Sequence, residues 1–122
     1  MALTRDVSLT ELPVRGLQVN SATAAYTIVP SDSGVVCFND YGTDTTYTLP
    51  AVADAKGKLF WFVNGEATTK TIITAPTACI KGPQAAVCTT LTSKAIGDHV
   101  ILTCDGTNYF VISMGFAVWT LA

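Results

Sequence analysis

From Tyr26 onward, short apolar or β-branched runs alternate with clusters of turn-forming residues. Tyr26-Thr27-Ile28-Val29 predicts a strand ended by Pro30, and Ser31-Asp32-Ser33-Gly34 reads as the turn after it. Proline fixes φ and removes a donor, while Ser, Asp and Gly favour turns. Val35-Val36-Cys37-Phe38 predicts the next strand, residues 39–44 a loop, and Thr46-Tyr47-Thr48-Leu49 a strand that stops at Pro50. Residues 51–58 form a connector whose Ala-rich start suits one helical turn. Leu59-Phe60-Trp61-Phe62-Val63 is the most apolar run, and its length fits a strand buried on both faces. The Asn64-Gly65 pair after it is a hairpin signal. Lys70-Thr71-Ile72-Ile73-Thr74 alternates, and Cys79-Ile80 and Ala86-Val87-Cys88 read as short strands in a looser, Pro- and Gly-punctuated region. Two β-branched runs between Ala95 and Ser113 flank Asp105-Gly106, which predicts a tight hairpin of type I′ with φ > 0 at both central residues.

Residues 2–21 differ from the rest. Leu3, Val7, Leu9, Leu12, Val14, Leu17 and Val19 are spaced mostly as alternation, and Pro13 and Gly16 oppose a helix. This pattern predicts an extended arm over residues 1–21, followed by a single β-domain over residues 22–122. Thr is frequent throughout, and the turn signals recur at the spacing of a sandwich or barrel. The expected fold is therefore all-β, a compact antiparallel β-sandwich or barrel preceded by an extended N-terminal arm.

Composition narrows the function. The chain has 122 residues, of which 49% are hydrophobic and only 13% charged. Soluble domains carry about 25% charged residues, so a domain this poor in charge is expected to hide surface against other subunits. The net charge of −2 comes without a basic cluster. Phosphate backbones require convergent cations, so nucleic acid is not an expected partner. The start Met1-Ala2-Leu3-Thr4-Arg5-Asp6 lacks the apolar core of a signal peptide, and export by the standard route is not expected. The uncharged stretch after Asp105 is too short and too interrupted for a membrane span.

Candidate chemistry is sparse. Cys37, Cys79, Cys88 and Cys104 show no Cys-x-x-Cys pairing, so zinc is not expected, and buried thiols acting as small hydrophobes are the plainer reading. Cys79 and Cys88 remain open to bridging a loop under oxidising conditions. His99, the single histidine, has no nucleophile elbow, and five residues along a strand place it on the opposite face from Cys104. Asp40 and Asp44 share a loop, but lack the dense carboxylate spacing of a calcium site and read as turn residues. No catalytic residue, metal ligand or cofactor is expected. Phe60, Trp61 and Phe62 cannot share one face, so Trp61 is expected to point into a second layer or a subunit contact. Trp119 is taken with it as an interface aromatic, in preference to a sugar-binding platform with Tyr109 and Phe110.

The order of the motifs carries a resemblance. It runs through Tyr26-Thr27-Ile28-Val29-Pro30-Ser31-Asp32-Ser33-Gly34, Tyr47-Thr48-Leu49-Pro50-Ala51 and Gly57-Lys58-Leu59-Phe60-Trp61-Phe62-Val63. It continues with Ile80-Lys81-Gly82 and the stretch 97–113. In that order they resemble the β-module of tailed-bacteriophage capsid decoration (cement) proteins, head fibres and tail-fibre proteins. In that family an Asp-Ser-Gly turn follows the first strand, Thr-Leu-Pro precedes the connector into an aromatic strand, and Asp-Gly-Thr-Asn with an aromatic closes the module. The four cysteines depart from the pattern. The resemblance implies a structural virion protein and a homotrimer. A module behind a short arm fits a decoration protein on the outer surface of the phage head, made in the host cytoplasm. Its expected partner is the major capsid protein, bound through Leu3, Val7, Leu9, Leu12, Val14 and Leu17. The alternative within the family is a head-fibre or tail-fibre module that binds host-surface glycans. A secreted adhesin fits less well without a signal peptide.

Overall fold

The computed structural model describes residues 15–82, 87–115 and 119–122. Six strands wind first. They are β1 (Gly16–Asn20), β2 (Ala25–Thr27), β3 (Val35–Asn39), β4 (Thr45–Thr48), β5 (Leu59–Asn64) and β6 (Thr71–Thr74). β1, β3 and β5 pair in parallel, and so do β2, β4 and β6. The chain is thus a β-solenoid of about three rungs, and the expected antiparallel sandwich or barrel is overturned. The reason lies at the corners. After each strand the chain crosses to the opposite sheet and does not fold back on itself. The Asn64-Gly65 pair is one such corner, because β5 and β6 belong to different sheets. Gly65 is required there for space, since a Cβ would strike the Phe38 ring.

The remaining strands close the stack. They are β7 (Ile80–Lys81), β8 (Val87–Cys88), β9 (Thr90–Thr92), β10 (His99–Cys104), β11 (Tyr109–Gly115) and β12 (Thr120–Leu121). β10 pairs antiparallel with β5 and β9 antiparallel with β6, so the chain returns over the third rung in reverse. The first sheet has the order β1-β3-β5-β10-β11-β7-β8, and the second β12-β9-β6-β4-β2. The hairpin of β10 and β11 turns through four residues, because Cys104 pairs with Tyr109, and not through a two-residue type I′ turn. Gly106 supplies the positive φ, and Asp105 Oδ1 accepts the amides of Thr107 and Asn108, each at 2.8 Å. The connector 51–58 contains a 3₁₀ turn at Val52–Asp54.

β1 lies inside the segment read as an arm, yet it is the first rung, in register with β3 from Gly16↔Val35 to Asn20↔Asn39. The core fills the space between the two sheets. Cys37, Phe60, Phe62, Val100 and Leu102 enter it from the first sheet, and Tyr47, Ile73 and Leu91 from the second. Tyr47 packs on Phe62 with ring centroids 5.2 Å apart. Three corners repeat one pattern. Tyr26-Thr27-Ile28, Tyr47-Thr48-Leu49 and Ile73-Thr74-Ala75 stack, and Ile28, Leu49 and Ala75 are buried at the bend before the next connector.

Candidate functional site

The alternation of β5 decides where its aromatics go. Phe60 and Phe62 are buried, whereas Leu59, Trp61 and Val63 point outward and are half-buried. The expectation of a strand buried on both faces is corrected accordingly. Parallel register then aligns outward residues into columns across the first sheet. One column runs Leu17, Val36, Trp61, Ile101; the next runs Val19, Phe38, Val63, His99. Leu17, Val19 and Ile112 are 61%, 53% and 56% exposed. The His99 imidazole covers Gly115, where a Cβ would collide with the ring. The Trp61 indole N–H is buried without a hydrogen-bond partner among the described residues.

Among the described residues, Lys81 is the only Asp, Glu, Lys or Arg within a strand. It stands at the far side of the first sheet, its ammonium 5.8 Å from the Phe110 ring centroid. The strands of the second sheet carry no charge at all, and their outer face is hydroxylic. Thr27, Thr48, Thr74 and Thr90 form one in-register column, and Thr46, Ile72, Thr92 and Thr120 another. Threonine satisfies a pleated surface and meets water through its hydroxyl. The two outer faces therefore differ: one suits water, the other is apolar.

Beneath the corner between the sheets lies a buried polar column. Asn20, Asn39 and Asn64 end β1, β3 and β5 in register. Asn20 Nδ2 donates to Asn39 Oδ1 (3.1 Å), and Asn39 Nδ2 donates to Thr71 Oγ1 (3.0 Å). The Thr71 hydroxyl in turn donates to Asn64 Oδ1 (3.0 Å). Asn64 Nδ2 donates to the carbonyls of Glu66 and Ala95. The column ends at Asp98, fully buried, whose Oδ2 accepts the amides of Lys94 (2.7 Å) and Ala95 (2.9 Å). At the other end, Asn20 Oδ1 accepts the Thr23 amide (3.2 Å), which turns the network back on its own loop. The column is a corner brace, with no exposed reactive group. Sequence reading passed over these asparagines. The available signal was the recurrence of Val-Asn, Phe-Asn and Val-Asn at the ends of three apolar runs.

The other candidate groups stay apart. His99 faces outward while Cys104 is buried on the inward side of the same strand, its thiol 3.4 Å from the Val52 carbonyl. All four cysteines are free and buried. Burial, with a smaller contribution from Asp32, pushes the Cys37 thiol up to about 12, and burial also raises Cys88 and Cys104. Asp44 Oδ1 accepts the Lys70 amide (2.8 Å), a loop-closing role. No group of three His, Cys, Asp or Glu able to hold a metal occurs among the described residues. Nor is any described helix long and apolar enough to cross a membrane.

Of the residues expected at interfaces, Trp61 is on the outer face of the first sheet. Trp119 is 1% exposed, inside its own chain, with the indole N–H donating to the His99 carbonyl at 3.0 Å. Leu17 is on β1. Leu3, Val7, Leu9, Leu12 and Val14 lie outside the described residues. The chain matches no protein-family model and no curated protein.

Proposed function

We propose that this chain is a structural protein of a tailed-phage particle, a decoration protein that binds the outer surface of the head and stabilises the shell. It works as a homotrimer, with the major capsid protein as its partner. The observation that carries the reading is the apolar outer face of the first sheet, uncharged over β1, β3, β5, β10 and β11 and centred on Trp61. A domain this size leaves such a face open for association, not for chemistry. The motif resemblance supports the same reading, and its residues form the corners, the aromatic strand and the closing hairpin of the solenoid.

The mechanism is mechanical. The N-terminal residues Leu3, Val7, Leu9, Leu12 and Val14 contact capsid subunits, and three linked copies turn a weak single contact into firm attachment. Expansion of the shell then has to break several contacts at once. No cofactor, nucleic acid or membrane enters this mechanism. The test is co-sedimentation with DNA-free expanded capsids of the phage that carries the chain. The full chain is expected to pellet at a fixed ratio, and a chain lacking residues 2–14 to stay in solution. Full occupancy by the truncated chain would refute the role of the N-terminal residues. Failure of the full chain to bind capsids, with binding to host cells instead, would replace decoration by receptor recognition.

A further inference from the structure

We propose that copies of this chain meet through the outer face of the first sheet, with Trp61 at the centre of the contact. The proposal rests on the homotrimer named above and deepens it by assigning the surface. Three observations choose a second copy as the occupant.

The first is charge. Strands β1, β3, β5, β10 and β11 present no Asp, Glu, Lys or Arg on this face; among the described residues the charges sit in corners and connectors, save Lys81 on β7 at the margin beside Phe110. A partner of different chemistry is steered by complementary charge, and this face offers none. Three copies turned about a threefold axis, however, bring the central strands of this face together at the axis without like-charge repulsion.

The second is placement. Trp61 is on the middle strand of those five, flanked in register by Val36 and Ile101. Interface energy concentrates in aromatic anchors near the geometric centre, ringed by residues that exclude water. Around a rotation axis, a centrally placed residue faces its own equivalents. Leu17 and Val19 at one side and Ile112 at the other are the most exposed apolar residues of the face.

The third is extent. Five strands about 4.8 Å apart, each about five residues of ~3.3 Å, give a patch of about 400 Å². A stable complex covers about 800 Å² per partner, with an apolar centre and a polar rim. The face supplies the centre, and the charged corners around it supply the rim. The contrasting threonine face of the second sheet then remains toward water.

The experiment is sedimentation equilibrium of the full chain beside Trp61→Lys, Leu17→Lys and, off this face, Val29→Lys, which replaces another exposed apolar residue (45% exposed). Circular dichroism and thermal melting report folding of each. The wild type and Val29→Lys are expected to associate alike. Trp61→Lys is expected to weaken association by about 30-fold or more, the scale of a central anchor. Leu17→Lys, at the exposed margin, should weaken it less and decides the matter if Trp61→Lys fails to fold. Unchanged association in both folded variants would overturn this surface while leaving the homotrimer intact. A wild type that stays monomeric at every concentration would overturn the surface and the homotrimer together, whereas capsid binding is read independently by co-sedimentation.

Discussion

Asn39 is the middle of the corner column, and each of its amide atoms has a buried partner: Asn20 on one side, Thr71 on the other. Truncating it costs Asn20 one of its two donor contacts and Thr71 the donor to its hydroxyl oxygen, both in a buried site. An unsatisfied buried polar group costs about 1–3 kcal/mol, and satisfied networks exceed the sum of their pairs. Asn39→Ala should therefore lower stability by about 2–4 kcal/mol in urea unfolding. A loss under half a kcal/mol would show that the column is not a brace. Cys37 presents the opposite case, a thiol whose surroundings disfavour its charge. Its thiolate forms near pH 8.5 in an unfolded chain but only near 12 in the folded one. Between these values the unfolded chain loses a proton that the folded chain keeps, so stability falls as the pH rises through that window. At pH 8 the native thiol should resist iodoacetamide and react only on denaturation; rapid native labelling at Cys37 would contradict its burial.

At the scale of elements, the hairpin of β10 and β11 depends on one exposed carboxylate. Asp105 accepts two backbone amides, and these hold its pKa below the ordinary carboxylate range. Its folded value is thus below its unfolded one. The stabilisation is complete above the unfolded value of about 3.9 and is lost as the pH falls through the lower, folded value. The stability gap between wild type and Asp105→Ala should be constant from pH 5 to 7 and shrink toward pH 2. A gap that widens with acid would reverse this sign. This loop also marks what was legible locally. Asp105-Gly106 announced a reversal correctly, since turn chemistry is written in adjacent residues. Its length was not legible, because the Cys104↔Tyr109 register is set by packing. Asn64-Gly65 misled for the same reason. Its glycine answers to the Phe38 ring one rung away, which no local pattern displays.

For the whole molecule, strand positions were readable while their stacking was not. Pro30 and Pro50 end runs that the eye finds at once, and Gly34 closes the turn before β3. Parallel stacking of β1, β3 and β5 pairs residues 19 and then 25 positions apart, as Asn20 with Asn39 and Asn39 with Asn64. That information sits in repeats with few identical residues and unequal spacing. The outward direction of Trp61 followed from alternation alone. The burial of Trp119 did not, since its indole bonds to the distant His99 carbonyl. β1 falls within residues 1–21, the segment expected to be an arm. A chain lacking residues 2–20 loses, beyond one lacking 2–14, β1 and with it the Asn20 end of the column. The longer deletion should melt several degrees lower by calorimetry. Equal melting of the two truncations would show that β1 contributes nothing to the solenoid.

The asparagine column also governs how such a chain changes in length over time. One residue added inside β3 would rotate every later side chain of that strand to the wrong face and carry Asn39 off its neighbours. Residues added at corners meet no such penalty. The two intervals already differ by six residues, and the longer one holds the Val52–Asp54 turn. Insertions and deletions in descendants of this sequence should therefore gather between columns, leaving each strand's final asparagine as the fixed point from which its length is counted.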